Sequence, residues 1–449
     1  MRIIVAGAGH GGLCAAIHLA RAGYPVTVLE KNTRENAGLP QVDAFDADAM
    51  AFAGLPVPED FPRGSNQITF VPLEKDVAPL TLPRNPVESI IVDRKRLLGY
   101  LFDLAQEAGA ELRFGVEIKR ALMLGNRVAG VETSEGNVYA DLVIDACGVH
   151  SPVRESLPTH LHVNREIGPY DVLHAYRGYF ALDASKPMPA TPYNIYIRDN
   201  GTVGFCWAVT GDSDVDVLIA RFPEMTFEDV LKTLIALKDD NPQMEIDNLK
   251  EGSFHDIPVS QPLAVPVADG YAAVGDSAFM TYPVKGSGIA YSLMAGRLLA
   301  DTVMADRDGF FTAETLWPYA NRFFRQIGHS ACLLALLKNL LPFLTAQEVN
   351  DMIKSGLVTT EELENLMDNK LDAVLNVKGF AALKDKIKQF SGSPIKNKLL
   401  ELLVWSGKLT LTEAQMPLEY NRAEVARWAE KYNEFFASIA KKEETPAEG

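Results

Sequence analysis

The stretch that decides the fold is the N-terminus, where residues 1–12 read Met-Arg-Ile-Ile-Val-Ala-Gly-Ala-Gly-His-Gly-Gly. Residues 2–6 are mostly apolar and β-branched without polar alternation, which predicts a short buried strand. Gly7, Gly9 and Gly12 then follow in a G-x-G-x-x-G pattern, and apolar residues recur at helical spacing after them. Glycines at these places allow a tight turn, a close approach of a pyrophosphate and close packing of helix on strand. The pattern therefore predicts a dinucleotide-binding unit with phosphate groups at the helix N-terminus.

An acidic residue ends the next predicted strand. Residues 25–29 form that strand, and Glu30 follows about 20 residues after the last glycine, where a carboxylate accepts hydrogen bonds from ribose hydroxyls. Gly11 and Lys31 complete the candidate nucleotide contacts of this region. A chance set of glycines would not also lie between a strand and a helix with an acid ending the following strand. Dinucleotide binding is therefore favoured over coincidence.

Composition and charge narrow the class of protein. The chain has 449 residues, 47% of them hydrophobic and 23% charged, which is typical of soluble globular proteins of about two or three domains. The formal net charge of −16 disfavours nucleic acid as a main partner. Cysteine occurs only at Cys14, Cys147, Cys206 and Cys332. This wide spacing predicts no zinc or iron–sulfur site and favours a reducing compartment.

We expect no membrane span. The most apolar later stretch, residues 331–344, is interrupted by Lys338, Asn339 and Pro342 and is shorter than the about 20 residues that a spanning helix needs. The expected location is therefore the cytoplasm. Peripheral contact of this stretch with the inner face of the membrane stays open beside packing within the protein or against a second subunit.

Four motifs together resemble the FAD-dependent oxidoreductases of the geranylgeranyl-reductase and para-hydroxybenzoate-hydroxylase superfamily. They are GAGHGG (7–12) with Glu30, the pair Asp93-Arg94, IDACGVHSPVR (144–154) and AAVGDSAFMTYPVKGSGIAYSLMAGRLLA (272–300). The likeness covers about residues 1–305, and the last motif is closer to the geranylgeranyl-reductase branch. The resemblance implies an α/β fold with FAD as the cofactor. It predicts a Rossmann-like FAD-binding domain (1–164 and 266–311), an inserted antiparallel-sheet substrate domain (165–265), a helical C-terminal region (312–440) and a disordered tail (441–449).

The resemblance also implies roles for single residues. Arg94 would contact the FAD diphosphate or ribityl chain, and the main chain near Ile118 would meet the adenine. Asp276 would bind a ribityl hydroxyl. Backbone N–H groups at Gly286 and Gly288, at the start of a helix, would face the flavin edge that becomes negative on reduction. The other implied contacts lie at the ends of strands or beside these glycines: Asp145, Gly148, Gly275, Pro283 and Ile289. For Asp145, capping of the following turn remains an alternative.

In the resembling family, the inserted sheet roofs the flavin and lines the substrate pocket. Candidate lining residues are Tyr196, Phe205, Trp207 and Tyr282, each of which can also be an ordinary core aromatic. A general acid cannot be assigned, so the catalytic residues are unknown.

The favoured function is an FAD-dependent oxidoreductase that acts on a fairly apolar small molecule. In the geranylgeranyl-reductase branch, the reaction is the reduction of carbon–carbon double bonds by hydride from flavin N5. That branch usually carries a cysteine–glycine-rich loop near residues 31–42, whereas this chain has no cysteine there, which leaves the prenyl substrate open. A flavin monooxygenase acting on an aromatic compound and an electron-transfer flavoprotein to quinone are the alternatives. The electron donor is NAD(P)H or reduced ferredoxin, and the absence of a second G-x-G-x-x-G does not support a separate nicotinamide domain.

Overall fold

Strands dominate the first two thirds of the chain and helices the last third in the computed structural model, which describes residues 1–64, 67–83, 89–199, 202–222, 224–367 and 395–442. In chain order, its strands are β1 (Ile3–Ala6), β2 (Val26–Glu30), β3 (Val42–Asp46), β4 (Arg63–Gly64), β5 (Ile68–Val71), β6 (Leu80–Thr81), β7 (Ser89–Asp93), β8 (Glu111–Phe114), β9 (Ile118–Leu124), β10 (Arg127–Thr133), β11 (Gly136–Tyr139), β12 (Leu142–Asp145), β13 (Val172–Leu182), β14 (Tyr193–Asp199), β15 (Thr202–Thr210), β16 (Asp214–Arg221), β17 (Met244–Pro258), β18 (Val267–Ala268) and β19 (Tyr271–Ala273). Its helices are α1 (His10–Arg21), α2 (Asp48–Ala53), α3 (Arg94–Glu107), α4 (Pro152–Glu155), α5 (Phe227–Asp240), α6 (Ile289–Ala305), α7 (Ala313–Phe323), α8 (His329–Leu340), α9 (Ala346–Lys354), α10 (Thr360–Met367), α11 (Ile395–Glu413) and α12 (Arg422–Lys442).

A mostly parallel sheet holds the nucleotide motifs. Its strand order is β18-β19-β12-β1-β2-β8, and β1 pairs in parallel with both β12 and β2. All four residues of β1 are buried, as expected for a central parallel strand that is covered on both faces. The carboxyl ends of β1, β2 and β12 therefore meet at one edge, where ligands bind in open α/β sheets. This confirms the predicted α/β class with a Rossmann-like sheet.

A second, seven-stranded sheet has the order β17-β13-β16-β15-β14-β5-β6. Its pairs are antiparallel except for β14 with β5, which run parallel. Helix α5 packs on one face and begins with a capping box between Thr226 and Asp229. Strands β13 to β17 lie in the range predicted for the insert, whereas β5 and β6 join the sheet from a much earlier part of the chain. These two strands were not predicted from the sequence, because β5 pairs with β14, which lies more than a hundred residues away, and β6 pairs with β5 at the edge of the sheet.

Two smaller sheets position loops of the nucleotide-binding part. Strand β7 pairs with β3 and β4, so the N-terminus of α3 lies close to the start of β3. Strands β9, β10 and β11 form an antiparallel sheet after β8.

The C-terminal region is helical, as predicted, from α7 to α12. The apolar residues of α8 are buried except for Leu337, which is partly buried, so this helix packs within the protein. Aromatic side chains of α7 and α12 pack together, with the Trp317 and Trp428 rings 6.2 Å apart. Residues 368–394 of the predicted helical region and residues 443–449 of the predicted tail lie outside the described residues. In the part of the chain that is described, no helix is long and apolar enough to cross a membrane.

Candidate functional site

The loop between β1 and α1 is pressed against the end of β12. Gly7 has a φ of +83°, and a Cβ there would lie 2.6 Å from the Ala146 carbonyl oxygen. A Cβ on Gly9 would lie 3.0 Å from the same oxygen, and one on Gly12 would lie 2.6 Å from the Ala146 Cβ. All three glycines therefore face one neighbour, and any side chain would push the loop away from the sheet. This contact directs the N-terminus of α1 toward the carboxyl edge of the sheet.

Gly11 serves a different contact, the crossing of α1 and α6. A Cβ on Gly11 would lie 2.7 Å from the Ser292 carbonyl oxygen, and one on Gly296 would lie 2.2 Å from the Gly11 carbonyl oxygen. Two facing glycines thus bring the backbones of the two helices together. Gly296 was not among the predicted residues, although a glycine inside an apolar helix pattern is a signal of close packing.

Glu30 lies beside the glycine-rich loop, as a ribose-binding carboxylate would. Its Oε2 accepts the Ala8 N–H at 3.0 Å, and its Oε1 accepts the backbone N–H of Asn32 at 2.9 Å. The Val116 N–H donates to the Glu30 carbonyl oxygen at 2.9 Å, which brings the main chain before Ile118 to the same place. Lys31 is exposed next to it.

Asp145 ends β12 and is fully occupied by protein donors. Its Oδ1 accepts the Cys147 N–H at 3.0 Å, and its Oδ2 accepts the hydroxyls of Ser151 at 2.5 Å and Tyr271 at 2.7 Å. Its carboxylate therefore holds the turn, in line with the capping alternative. Gly148, in that turn, has a φ of +87°, and a Cβ there would have no atom of the described residues within 4 Å. The turn thus leaves open space beside Gly148.

The last motif joins the two sheets. Thr281 donates to Asp276 Oδ1 at 3.0 Å, and a Cβ on Gly288 would lie 3.0 Å from that same oxygen. Burial raises the pKa of Asp276, and Thr281 and Arg94 act against the rise. Gly286 has a φ of +65°, and a Cβ there would lie 3.0 Å from Ile257 Cγ2 of β17. This motif therefore lies where the cofactor-binding part meets the seven-stranded sheet.

The three other predicted FAD contacts in this motif are buried. Gly275 has a φ of +70° at the end of β19, Pro283 is buried in the connecting loop, and Ile289 is the buried first residue of α6.

A buried arginine that sequence analysis missed ties two motifs together. Arg154 Nη1 donates to the Ser277 carbonyl oxygen at 2.7 Å, and its guanidinium lies 5.0 Å from the centre of the Phe279 ring. Arg154 stands in the quoted motif, but the motif gives no sign that its side chain is buried.

Two orphaned polar atoms lie in the cleft between the sheets. His10 Nε2 and Gln41 Oε1 are buried without a hydrogen-bond partner among the described residues. Burial, and then the charge of Arg94, lower the pKa of His10 to about 4, so its imidazole is neutral near pH 7. Because buried polar atoms are nearly always hydrogen-bonded, these two indicate a polar group of a bound molecule. Together with the glycine-rich loop, Glu30 and Asp276, they fit a bound FAD.

The face of the seven-stranded sheet that meets Gly286 has an apolar part and an ionic part. Phe205 and Trp207 pack in a cluster with Leu173 and Ala220, and Ile257 lies against it. The ionic part is a salt bridge between Arg177 of β13 and Asp216 of β16, in which Arg177 Nη2 lies 2.6 Å from Asp216 Oδ2. This ionic part could not be predicted from the sequence, because its members come from different strands.

The structure does not bring all four predicted lining aromatics together. Tyr196 pairs with Cys206 across β14 and β15, so it faces α5, where its hydroxyl accepts the Asn241 side-chain N–H at 2.8 Å. Strand alternation separates it from Phe205 and Trp207. Tyr282 lies in the last motif, with Lys285 Nζ 4.8 Å from its ring centre.

Comparison with known proteins agrees with this geometry. Residues 1–306 match the family described as FAD binding domain. Digeranylgeranylglycerophospholipid reductase 1 of Methanopyrus kandleri is 26% identical over 387 residues, which cover 81% of this chain and 96% of the relative. The probable electron transfer flavoprotein-quinone oxidoreductase YdiS of Escherichia coli is 27% identical, covering 75% of this chain and 85% of its own.

Among solved structures, a geranylgeranyl bacteriochlorophyll reductase-like protein from Thermoplasma acidophilum has a TM-score of 0.70. It is 18% identical and covers 86% of this chain and 98% of its own, a likeness that shows the fold alone. The family match spans more than half of the chain and confirms the predicted superfamily. The chain therefore belongs to the FAD binding domain family and is an FAD-dependent oxidoreductase.

Proposed function

We propose that this protein reduces a carbon–carbon double bond of a fairly apolar small molecule. The observation that carries the proposal is the aromatic face formed by Phe205 and Trp207 opposite the cofactor motifs. When bound, FAD supplies hydride chemistry at N5. The chain's own residues bind and orient the cofactor, exclude water and offer an apolar wall to the substrate.

The proposed FAD contacts follow the geometry of the cleft. Gly7, Gly9, Gly11 and Gly12 shape the loop that brings the N–H groups at the start of α1 to the diphosphate, since a helix N-terminus favours an anion. Ribose and adenine contacts fall to Glu30, Lys31 and the main chain near Ile118. Arg94 and Asp276 reach the ribityl region, and the Gly286 and Gly288 N–H groups face the flavin edge. The residues that shape the surrounding turns are Asp145, Gly148, Gly275, Pro283 and Ile289.

The proposed division of the chain assigns one part to each task. Residues 1–164 and 266–311 bind FAD, residues 165–265 offer the substrate face, and residues 312–440 form the helical C-terminal region. The substrate-facing sheet also uses β5 and β6 from the first of these segments.

The substrate wall is proposed to consist of Phe205, Trp207 and Tyr282. The Phe205 and Trp207 rings lie 6.1 Å apart, and the Tyr193 ring lies 5.7 Å from Trp207. Grouped aromatic side chains favour an apolar substrate. The name of the Methanopyrus relative, a reductase of a digeranylgeranyl lipid, supports an isoprenoid chain.

The proposal includes a cytoplasmic location with peripheral contact to a membrane, where such a lipid resides. Helix α11 supports this contact because it exposes Val404 and Leu411, 55% and 67% accessible. Sedimentation with phospholipid vesicles tests it, and a protein that stays in the supernatant contradicts it.

An anaerobic turnover experiment tests the function. The protein is incubated with a geranylgeranyl lipid and either NADPH, NADH or reduced ferredoxin, and the products are weighed by mass spectrometry. We expect the lipid to gain hydrogen in the absence of oxygen when one of these donors is supplied. Oxygen-dependent hydroxylation would instead indicate the monooxygenase, and quinone reduction without a changed lipid would indicate electron transfer.

A further inference from the structure

Four charged side chains form one ladder across the cleft. Asp43, on β3, accepts Arg94 Nε at Oδ2 and Arg177 Nη1 at Oδ1, the latter at 3.1 Å. Arg177, on β13, also donates to Asp216 of β16 at 2.9 Å and 2.6 Å. Each oxygen of Asp43 therefore serves an arginine from a different part of the fold: one beside the cofactor motifs and one on the substrate-facing sheet.

The ladder is shielded from water. The side chain of Arg177 is 5% exposed, and those of Asp216 and Asp43 are 14% and 19% exposed. Burial works against the charged form of Asp43, but Arg94 and Arg177 together keep its pKa below the ordinary value. Removing one partner of a buried pair leaves an uncompensated charge, so the members of this ladder depend on one another.

The upper end of the ladder acts on the cofactor site. The Arg94 N–H donates to the Gln41 carbonyl oxygen at 2.8 Å, and Gln41 carries one of the two orphaned polar atoms of the cleft, so Arg94 lies at the cofactor site. The Arg177 end of the ladder supports the substrate face, because the Arg177 guanidinium lies 5.4 Å from the Trp207 ring centre. A hydrogen bond from the Val42 N–H to Tyr179 Oη at 2.9 Å also joins β3 to β13, the two strands that carry Asp43 and Arg177.

We propose that Asp43 is a positioning residue that links Arg94 at the cofactor to Arg177 beside Trp207, so that FAD binding and docking of the substrate-facing sheet stabilise each other. The proposal rests on the proposed placement of FAD beside Arg94 and not on the identity of the substrate. Since coupling between two sites is reciprocal, a change on the sheet must alter the affinity for FAD.

The test measures FAD affinity by flavin fluorescence during titration of the apo-protein. Asp43→Asn and Arg177→Met are compared with Asp214→Asn, a control two residues from Asp216 on the same strand, whose ion pair with Lys250 spans 3.5 Å at the surface. We expect both ladder variants to weaken FAD binding about tenfold, within the usual range of coupling between sites. The control keeps the parent's affinity. The double variant, with both Asp43→Asn and Arg177→Met, should bind FAD no more weakly than Asp43→Asn alone, because both changes break the same connection between Asp43 and Arg177.

Hydrogen exchange supplies a readout that a merely structural role would not move. In the parent, FAD should slow exchange of the β13 and β15 amides, and Asp43→Asn should abolish that FAD-dependent slowing. Asp216→Asn, at the far end of the ladder, replaces Asp43→Asn if the latter does not fold, with the same expectation at smaller size. Unchanged FAD affinity or unchanged FAD-dependent protection in the ladder variants would overturn the proposal.

Arg94→Met distinguishes a failure of the proposed coupling from a failure of the proposed FAD placement. A loss of FAD affinity in Arg94→Met together with a parent-like Asp43→Asn would overturn the coupling and leave the cofactor placement intact. Parent-like affinity in Arg94→Met would overturn both, because the ladder would then have no cofactor end.

Discussion

The nucleotide loop and the substrate-facing sheet reach the same cleft by different means. Around Gly7, Gly9 and Gly12, consecutive residues work through what they lack, since each missing Cβ makes room for Ala146. Arg177 and Asp216 of the substrate-facing sheet and Asp43 of β3 instead work through charges that meet from three strands. A contact built from absent side chains leaves a spacing in the sequence, whereas a contact between distant charges leaves none.

A side chain added in the glycine-rich loop should have the largest effect. In Gly12→Val, the new side chain would collide with Ala146 and with Val5 Cγ1, which lies 2.8 Å from an added Cβ. We expect a loss of about 3 kcal/mol or more in the free energy of unfolding, together with loss of FAD binding. Chemical denaturation and flavin titration measure the two effects. Gly99→Ala on α3, where an added Cβ meets no described atom within 4 Å, serves as the control and should be neutral or slightly stabilising.

Asp276→Ala is expected to affect the cofactor without harming the fold. Burial raises the pKa of Asp276, which means that its charged form contributes little to the stability of the folded apo-protein. Loss of a hydrogen bond to a charged group should weaken FAD binding by about 1.5–3 kcal/mol, roughly tenfold to a hundredfold. Flavin titration and thermal unfolding of the apo-protein test the two halves. A variant that holds FAD as well as the parent would show that the motif is misplaced.

The buried imidazole of His10 should make the stability of the apo-protein depend on pH. Because the pKa of His10 is about 4 in the folded apo-protein against an ordinary 6.5, the unfolded chain binds a proton that the folded chain rejects between these values. Stability should therefore fall as the pH drops from 6.5 toward 4, and His10→Gln should remove about 2–3 kcal/mol of that fall, since each unit of pKa difference corresponds to about 1.4 kcal/mol. Urea unfolding of the apo-protein at several pH values measures it. An exposed control, His160→Gln, should retain the parent's slope, and a parent-like slope in His10→Gln would contradict the assignment.

The smallest effect concerns the two faces of the sheet. Tyr196→Phe removes the hydrogen bond from Asn241 and should lower stability by about 0.5–1 kcal/mol with no change in KM or FAD affinity. Trp207→Phe should instead raise KM for an apolar substrate. Steady-state kinetics compares the two variants, and equal KM effects would mean that the faces are misassigned.

The same contrast explains what the sequence could predict. The parallel sheet, the glycine-rich loop, Glu30 and the Asp276–Gly288 turn depend on residues close together in the chain, so spacing and resemblance were enough to locate them. The pairing of β5 with β14 depends on contacts over a long separation. The separation of Tyr196 from Phe205 could not be predicted from strand alternation alone, because the register between β14 and β15 shifts between Ile197 and Asp199. The burial of Gln41 and Arg154 follows from three-dimensional packing, which no local pattern reports.

FAD binding by this chain is tested by a visible absorption spectrum of the purified protein, followed by titration with FAD. We expect the two bands of an oxidised flavin at one FAD per chain, and anaerobic reduction should bleach them. A colourless protein that also fails to bind added FAD would contradict this expectation.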